Sequence, residues 1–268
     1  MPEGDTIHLL ARKLKDKVCG EQVRYFDAWE PLLHRSELVG QTLTQVEARG
    51  KNLLFHFSGG EALHSHLKMD GKWAYRAVSP YPTATGMLNV VLGFEGAALL
   101  GYRLGVLRWV DLAVLPSNDA LRRVGPDLLG EDVDTDSVIL AFRRLGKLPI
   151  GVALLHQGVM AGVGNEYKSE LLFLEHLSPF IPVDTIEHER LRALIRRAQR
   201  LLRQNVANAA LGAHRRQTRA RVGGGSTVWV YLRAGEHCLV CDDEIRVVYQ
   251  GQPPRSTYYC PTCQAPTR

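Results

Sequence analysis

Four of the five cysteines in this 268-residue chain stand in its last thirty-one positions, as two C-x2-C pairs with eighteen residues between them. Cys238 and Cys241 form one pair, Cys260 and Cys263 the other. No other feature restricts its surroundings so tightly. Each pair falls on a tight turn, so both sulfurs can reach one tetrahedral ion, and two such pairs make the four-thiolate set of a structural zinc site. A zinc ribbon over residues 235–268 is the expectation, with one structural Zn2+ as the only cofactor. Disulfides are the competing use of cysteine, and they belong to oxidising compartments. The amino terminus lacks the basic-then-apolar pattern of a signal peptide, and no run approaches the roughly 20 apolar residues of a membrane span, so a cytoplasmic chain is expected. Cys19 reads as a small buried residue near the end of the first helix.

The remaining length can bury a core and suffices for two domains. Ile7, Leu10, Ala11, Leu14 and Val18 recur at helical spacing over residues 3–18. From about 22 to 115 the texture becomes short alternating or apolar stretches ("TLTQVEARG", "NLLFHFSGG", "MLNVVLGFEG", "LRWVDLAVL") separated by Gly, Ser and Pro. That pattern predicts many short strands, hence a β-sandwich or barrel behind a leading helix. "PSNDALRRVGPDLLGEDVDTD" is polar and reads as a connector. Helices are predicted over 136–145, 150–157, 165–175 and 187–208, and "GGGS" at 223–226 as a joint before the ribbon. The fold class is α+β, in several domains: 1–116, a linker at 117–133, a helical domain at 134–234, and the cysteine module at 235–268. The net charge of +5 permits a polyanionic partner without demanding one. Its concentration in "RLRALIRRAQRLLR" and "HRRQTRAR" suits either such a partner or a solvated basic face.

Five short segments could carry chemistry. In "MPEGDTIHLL", proline and acids suit a helix start. Once the initiator methionine is removed, however, Pro2 would also carry a free secondary amine. In "HQGVMAGVGNEYKSELLF", a glycine-rich turn opens a helix at Asn165, a place that suits a phosphate. Asn165 can either cap that helix or donate its amide to a phosphate oxygen. In "RGKNLLF", Lys51 follows a glycine at a strand start, where a plain surface lysine is the default. "LHSHLKMDGKW" places His64 and His66 on one face of a strand. A metal reading of the pair lacks acidic company, and Met69 is either core or a wedge that unstacks DNA. In "PPRSTYYCPTC", Arg255 lies on a turn of the ribbon, exposed or set to grip a phosphate with two N–H groups.

Taken in order along the chain, these segments resemble one family, the formamidopyrimidine-DNA glycosylase / endonuclease VIII enzymes of base excision repair. "PEGDTI" looks like the family's P-E start in the P-E-G form of endonuclease VIII. "RGKNLL" resembles its lysine-bearing strand and "VGPDLL" its interdomain segment. "GVGNEYKSELLF" is similar to its helix–two-turns–helix signature, and "RSTYYCPTCQ" to its terminal zinc finger. The sequence departs from the family pattern at Thr6, where Glu is common and Asp5 stands one place earlier, and in "KMD", where some members carry Q-L-Y.

The resemblance implies an N-terminal helix and β-sandwich, a helix–two-turns–helix domain with a zinc-ribbon finger, and a bifunctional DNA glycosylase and apurinic/apyrimidinic lyase. Pro2 would be the nucleophile, Glu3 the acid that assists sugar ring opening, and Lys51 an essential group near the lesion's phosphate that helps base release. His66, Lys51, Asn165 and Arg255 would hold phosphates, Met69 would fill the space a flipped nucleotide leaves, and Glu170 would line the site. The P-E-G opening leans toward oxidised pyrimidines over oxidised purines such as 8-oxoguanine and formamidopyrimidines. A non-catalytic zinc-ribbon DNA-binding protein is the alternative of another class. The partner implied is damaged DNA, duplex with single-stranded and bubble forms left open, bound by a monomer in a bacterial cytoplasm at the nucleoid.

Overall fold

The first helix, α1 (Gly4–Val18), forms where the sequence periodicity places it. Ile7, Ala11, Leu14 and Val18 are all buried on one stripe, while the lysines between them face solvent. In this computed structural model, which describes residues 2–111, 113–114, 119–210, 216–219 and 225–265, the chain divides into two units, Met1–Arg123 and Val124–Arg268.

The first unit continues with eight strands: β1 (Tyr25–Ala28), β2 (Leu43–Arg49), β3 (Asn52–Phe57), β4 (Ala62–His66), β5 (Lys72–Ala77), β6 (Leu88–Phe94), β7 (Ala97–Tyr102) and β8 (Val106–Val110). They make two antiparallel four-stranded sheets, ordered β1-β6-β7-β5 and β2-β3-β4-β8. The predicted sandwich is therefore present. Register decides what each face carries, because successive strand residues point to opposite sides. In the second sheet Phe55 pairs with Val46 and Leu63, and Leu63 with Trp109; these residues join α1, Val90, Leu92 and Leu99 in the core. The opposite face carries Glu47, Arg49, Asn52, His56, His64, His66 and Arg108.

In the second unit, α2 (Thr135–Arg143) starts at Asp134, whose carboxylate accepts from the Asp136 and Ser137 N–H groups. The helix expected over 150–157 is shorter, α3 (Ile150–Ala153): bonds from Leu155 N–H to the Val152 carbonyl and from His156 N–H to the Ala153 carbonyl tighten the chain and end it. Then come α4 (Asn165–Leu174), α5 (His188–Ala210) and the hairpin β9 (Arg246–Gln250) and β10 (Arg255–Tyr259). Helix α4 is buried almost all round. Tyr167, Leu171 and Leu172 pack with Phe142, Leu194 and Ile195, and Phe173 joins Val230, Ile245 and two of the cysteines.

Some arginines of the basic runs are held in ion pairs and others face solvent. Arg192 pairs with Asp136, Arg197 with Glu175 and Arg216 with Glu166, whereas Arg196 and Arg200 lie exposed on α5. Half of "HRRQTRAR" lies outside the described residues, as do the first two glycines of "GGGS". Among the described residues no helix is long and apolar enough to cross a membrane.

Candidate active and DNA-contacting sites

In the first unit the sequence-predicted residues sit at chain ends and turns. Pro2 is half-buried and precedes α1; Glu3 is its N-cap residue, fully buried, and makes no side-chain capping bond to the helix. The cap role open to an acid at this place is thus not the one Glu3 takes. Asp5 is buried beside it and accepts from the Thr6 backbone N–H (2.8 Å) and the Thr6 hydroxyl (3.3 Å). Thr6, the departure from the family pattern, therefore holds Asp5 in place.

Lys51 occupies the two-residue turn joining β2 and β3, behind Gly50 at φ +60°, with Arg49 and Asn52 as the closing pair. Glycine at the first central position suits a tight hairpin turn. His66 lies across from Asn52 on β4. Burial, then the charges of Lys68 and Lys51, push its pKa down to about 4, so the ring is neutral at pH 7. Its Nδ1 accepts from the Lys68 N–H at 2.9 Å, which leaves Nε2 to carry the proton as a donor. Met69 follows on the β4–β5 turn and is 61% exposed, which excludes the core reading. The turn is tight: a Cβ on Gly71 would lie 2.5 Å from the Leu67 carbonyl oxygen, and the Arg103 backbone packs beside it.

His64 is not a metal ligand paired with His66. Its Nδ1 accepts from Arg108 Nε at 3.1 Å and its Nε2 meets Asn52 Oδ1 at 2.9 Å. Burial, then the Arg108 charge, lowers its pKa to about 4. Arg108 in turn grips Asp119 with two bonds, at 2.6 and 2.7 Å, holding that carboxyl well below the usual carboxylate range. No local pattern signals this chain of contacts, because Asp119 lies in the stretch read as a connector.

In the second unit Asn165 begins α4 but does not cap it; Gly164 is the N-cap residue. The Asn165 amide instead donates to Ser256 Oγ (2.9 Å), and its Oδ1 accepts from Lys168 Nζ (2.8 Å). Lys168 is fully buried and also donates to the Ser256 carbonyl at 2.9 Å. An ammonium only donates, so it fixes the amide with its nitrogen turned away. Arg255, next to Ser256, is exposed at the start of β10, beside a cavity of about 230 Å³ lined by Val152, His156, Gln250 and Pro253. Glu170 is the residue that the resemblance places along the site. It is fully buried, and its oxygens accept from the N–H groups of Trp229, Val230 and Tyr231, each at 2.8 Å, and from the Thr218 hydroxyl. It ties Thr218 and the Trp229–Tyr231 backbone together from within.

The four ribbon cysteines converge as their spacing predicts, with all Sγ atoms within 4.8 Å of one another. Cys238 and Cys263 are 3.8 Å apart and Cys241 and Cys260 3.4 Å. A tetrahedral thiolate site with bonds of about 2.3 Å has sulfurs about 3.8 Å apart, so the residues fit a metal ion.

A β-sandwich behind a leading helix, followed by a helix–two-turns–helix unit with a four-cysteine hairpin, defines one class of fold. The model of the formamidopyrimidine-DNA glycosylase N-terminal domain matches residues 1–112, and that of the family's H2TH domain matches residues 124–216. The chain belongs to the formamidopyrimidine-DNA glycosylase family. It is 38% identical to a probable endonuclease 8 2 of Streptomyces coelicolor, over 99% of this chain and 94% of that one. It is 35% identical to the DNA-(apurinic or apyrimidinic site) lyase Nei2 of Mycolicibacterium smegmatis, over 98% and 99%. Among solved structures, a complex of Lactococcus lactis Fpg with DNA containing an abasic site superposes with a TM-score of 0.82 at 23% identity, covering 98% of this chain and all of that one. That likeness establishes the shared fold.

Proposed function

We propose that the protein is a bifunctional DNA glycosylase and apurinic/apyrimidinic lyase of base excision repair, acting through Pro2 and favouring oxidised pyrimidines. The observation that carries this reading is the proline and fully buried carboxylate, Pro2 and Glu3, at the head of α1 in a member of this family. Relatives named endonuclease 8 and apurinic/apyrimidinic-site lyase support it.

With Met1 removed, Pro2 offers an α-amine whose reference pKa of about 7.7–8.0 leaves roughly a tenth neutral at pH 7, far more than a lysine. The amine attacks C1′ of the damaged nucleotide, and the base leaves with a proton. Because the amine is secondary, ring opening yields an iminium that is cationic without a further proton. That cation acidifies C2′–H, so the 3′ phosphate departs by β-elimination and the 5′ phosphate by a second elimination. Glu3 carries protons during ring opening and elimination. Lys51 assists base release. The chemistry requires the base out of the stack, with Met69 filling the gap and His66, Asn165 and Arg255 donating to phosphates. The geometry suits those donors: His66 is a neutral N–H donor, and Lys168 occupies the Asn165 oxygen, so the amide offers only N–H groups, one of which donates to Ser256 Oγ. Zn2+ would be held by Cys238, Cys241, Cys260 and Cys263 in a purely structural role.

Borohydride trapping on abasic-site DNA tests the mechanism. The wild-type protein is expected to form a covalent adduct, which Pro2→Ala and a blocked amino terminus each abolish. An adduct that survives both changes sinks the Pro2 mechanism, and no adduct at all leaves the DNA-binding alternative. A duplex panel with thymine glycol, dihydrouracil and 8-oxoguanine tests the substrate; efficient 8-oxoguanine removal without pyrimidine activity reverses the preference.

A further inference from the structure

The outer face of the second sheet carries a directed chain of hydrogen bonds that ends at the Lys51 turn. Its direction follows from chemistry alone. A guanidinium only donates, so His64 Nδ1, 3.1 Å from Arg108 Nε, must be the acceptor. In a neutral ring the proton then sits on Nε2, which donates to Asn52 Oδ1 at 2.9 Å. With its oxygen so occupied, the Asn52 amide turns its nitrogen to the Arg49 carbonyl, to which it donates at 3.0 Å. At the other end the Asp119 carboxylate takes both Arg108 Nη groups and also accepts from the Leu121 N–H at 2.8 Å. His64 is 5% exposed. Each group in the chain thus has one available orientation.

The place where the chain ends gives it a use beyond packing. Arg49 and Asn52 are the two residues that close the Gly50–Lys51 turn. The β2–β3 ladder fixes the strands, but the tilt of the turn depends on its closing pair. A side-chain bond across that pair, itself held from β4 and β8, restricts how Lys51 is presented.

We infer that His64 is a positioning residue for Lys51, acting through Asn52 and held in its working orientation by Arg108 and Asp119. The inference rests on the role proposed for Lys51 in base release, and it separates two activities. Loss of Lys51 positioning slows excision of a base but spares cleavage at a preformed abasic site, which needs only Pro2 and Glu3.

The test compares single-turnover excision of thymine glycol from a duplex with strand cleavage of the same duplex carrying an abasic site. His64→Leu is expected to lower the first rate about ten- to a hundredfold, the range in which displacement of a catalytic group by about an ångström is felt, and to leave the second within about twofold. Asp119→Asn, which keeps the ring, is expected to show the same split more weakly and decides the matter if His64→Leu does not fold. In a Lys51→Met background, His64→Leu should add no further loss, since residues acting as a unit are non-additive. Equal losses in both activities, or a full extra loss in the Lys51→Met background, mark His64 as a merely structural residue. Amide hydrogen exchange over residues 49–52 reads the same point without catalysis. Faster exchange in His64→Leu supports the brace, and unchanged exchange overturns it. The absence of a borohydride adduct in the wild-type protein would count against the Pro2 mechanism alone and leave the exchange result standing.

Discussion

In the first unit the polar groups of the candidate site lie on the outer face of a sheet and on the turns at its ends; in the second they run through the most buried helix of the unit. Lys51 stands in the turn between β2 and β3, His66 ends β4, and Met69 lies three residues from the ends of β4 and β5, where β-pairing supplies a rigid base. Asn165, Lys168, Ser169 and Glu170 lie on α4, where every polar group must find a partner because no water reaches it. They find one in the hairpin and in the chain before the ribbon. Ser169 Oγ accepts from the Tyr258 N–H, Lys168 holds the Ser256 carbonyl, and Glu170 gathers three N–H groups. The contrast teaches that in the first unit a polar contact acts along one sheet face, while in the second the same loss loosens the β10 strand and the chain at 229–231.

The comparison is broken most severely at the cysteines. Cys260→Ser should remove bound zinc, and since structural zinc supplies about 10–16 kcal/mol of folding free energy in finger peptides, the β9–β10 hairpin should loosen with it. Metal content is expected to fall from one equivalent to none and DNA affinity to drop, while borohydride trapping persists at high DNA concentration. A variant retaining a full equivalent of zinc would contradict the four-thiolate site.

Glu170→Gln is the next largest change. An amide nitrogen would face backbone donors in a dry site, at a cost of about 3 kcal/mol. A urea midpoint unchanged from wild type would show that the carboxylate is not the anchor its bonds make it.

The first unit should instead respond to pH. His64 is neutral in the fold with a pKa of about 4 against an ordinary 6.5, so the unfolded chain takes up the proton first. Its contribution is complete above pH 6.5 and is lost as pH falls from there through 4, by up to about 1.4 kcal/mol per pH unit. His64→Leu should flatten the stability profile across that window by about 3 kcal/mol in total; parallel profiles would refute the assignment. The smallest effect expected is at Trp73→Phe, which removes the 2.9 Å bond from the indole N–H to Ser65 Oγ and should cost about 1 kcal/mol in thermal unfolding.

Much of this was legible beforehand for reasons particular to each element. The α1 stripe and the amphipathic pattern of α5 announced their helices because period alone sets which face is apolar. The cysteine pairs announced their cluster because ligand spacing is local. By contrast, a carboxylate in a helix pattern gives no sign that three backbone N–H groups from sixty residues away will bury Glu170. Asp119 looked like part of a loop, and nothing near it in sequence names Arg108 as its partner.

The sequence by itself determined the short strands, the helical unit and the four-thiolate set, because periodicity, turn chemistry and ligand spacing act over a few residues. The line of candidate residues from Pro2 to Arg255 came from the family resemblance of its short segments. Tertiary structure alone decided which polar side chains are exposed and which are spent as supports. Sheet register placed His64 against Arg108 and Asn52, and the burial of α4 turned Lys168 and Glu170 inward. Both outcomes depend on contacts between residues far apart along the chain, where a donor must find an acceptor or remain unsatisfied out of reach of water.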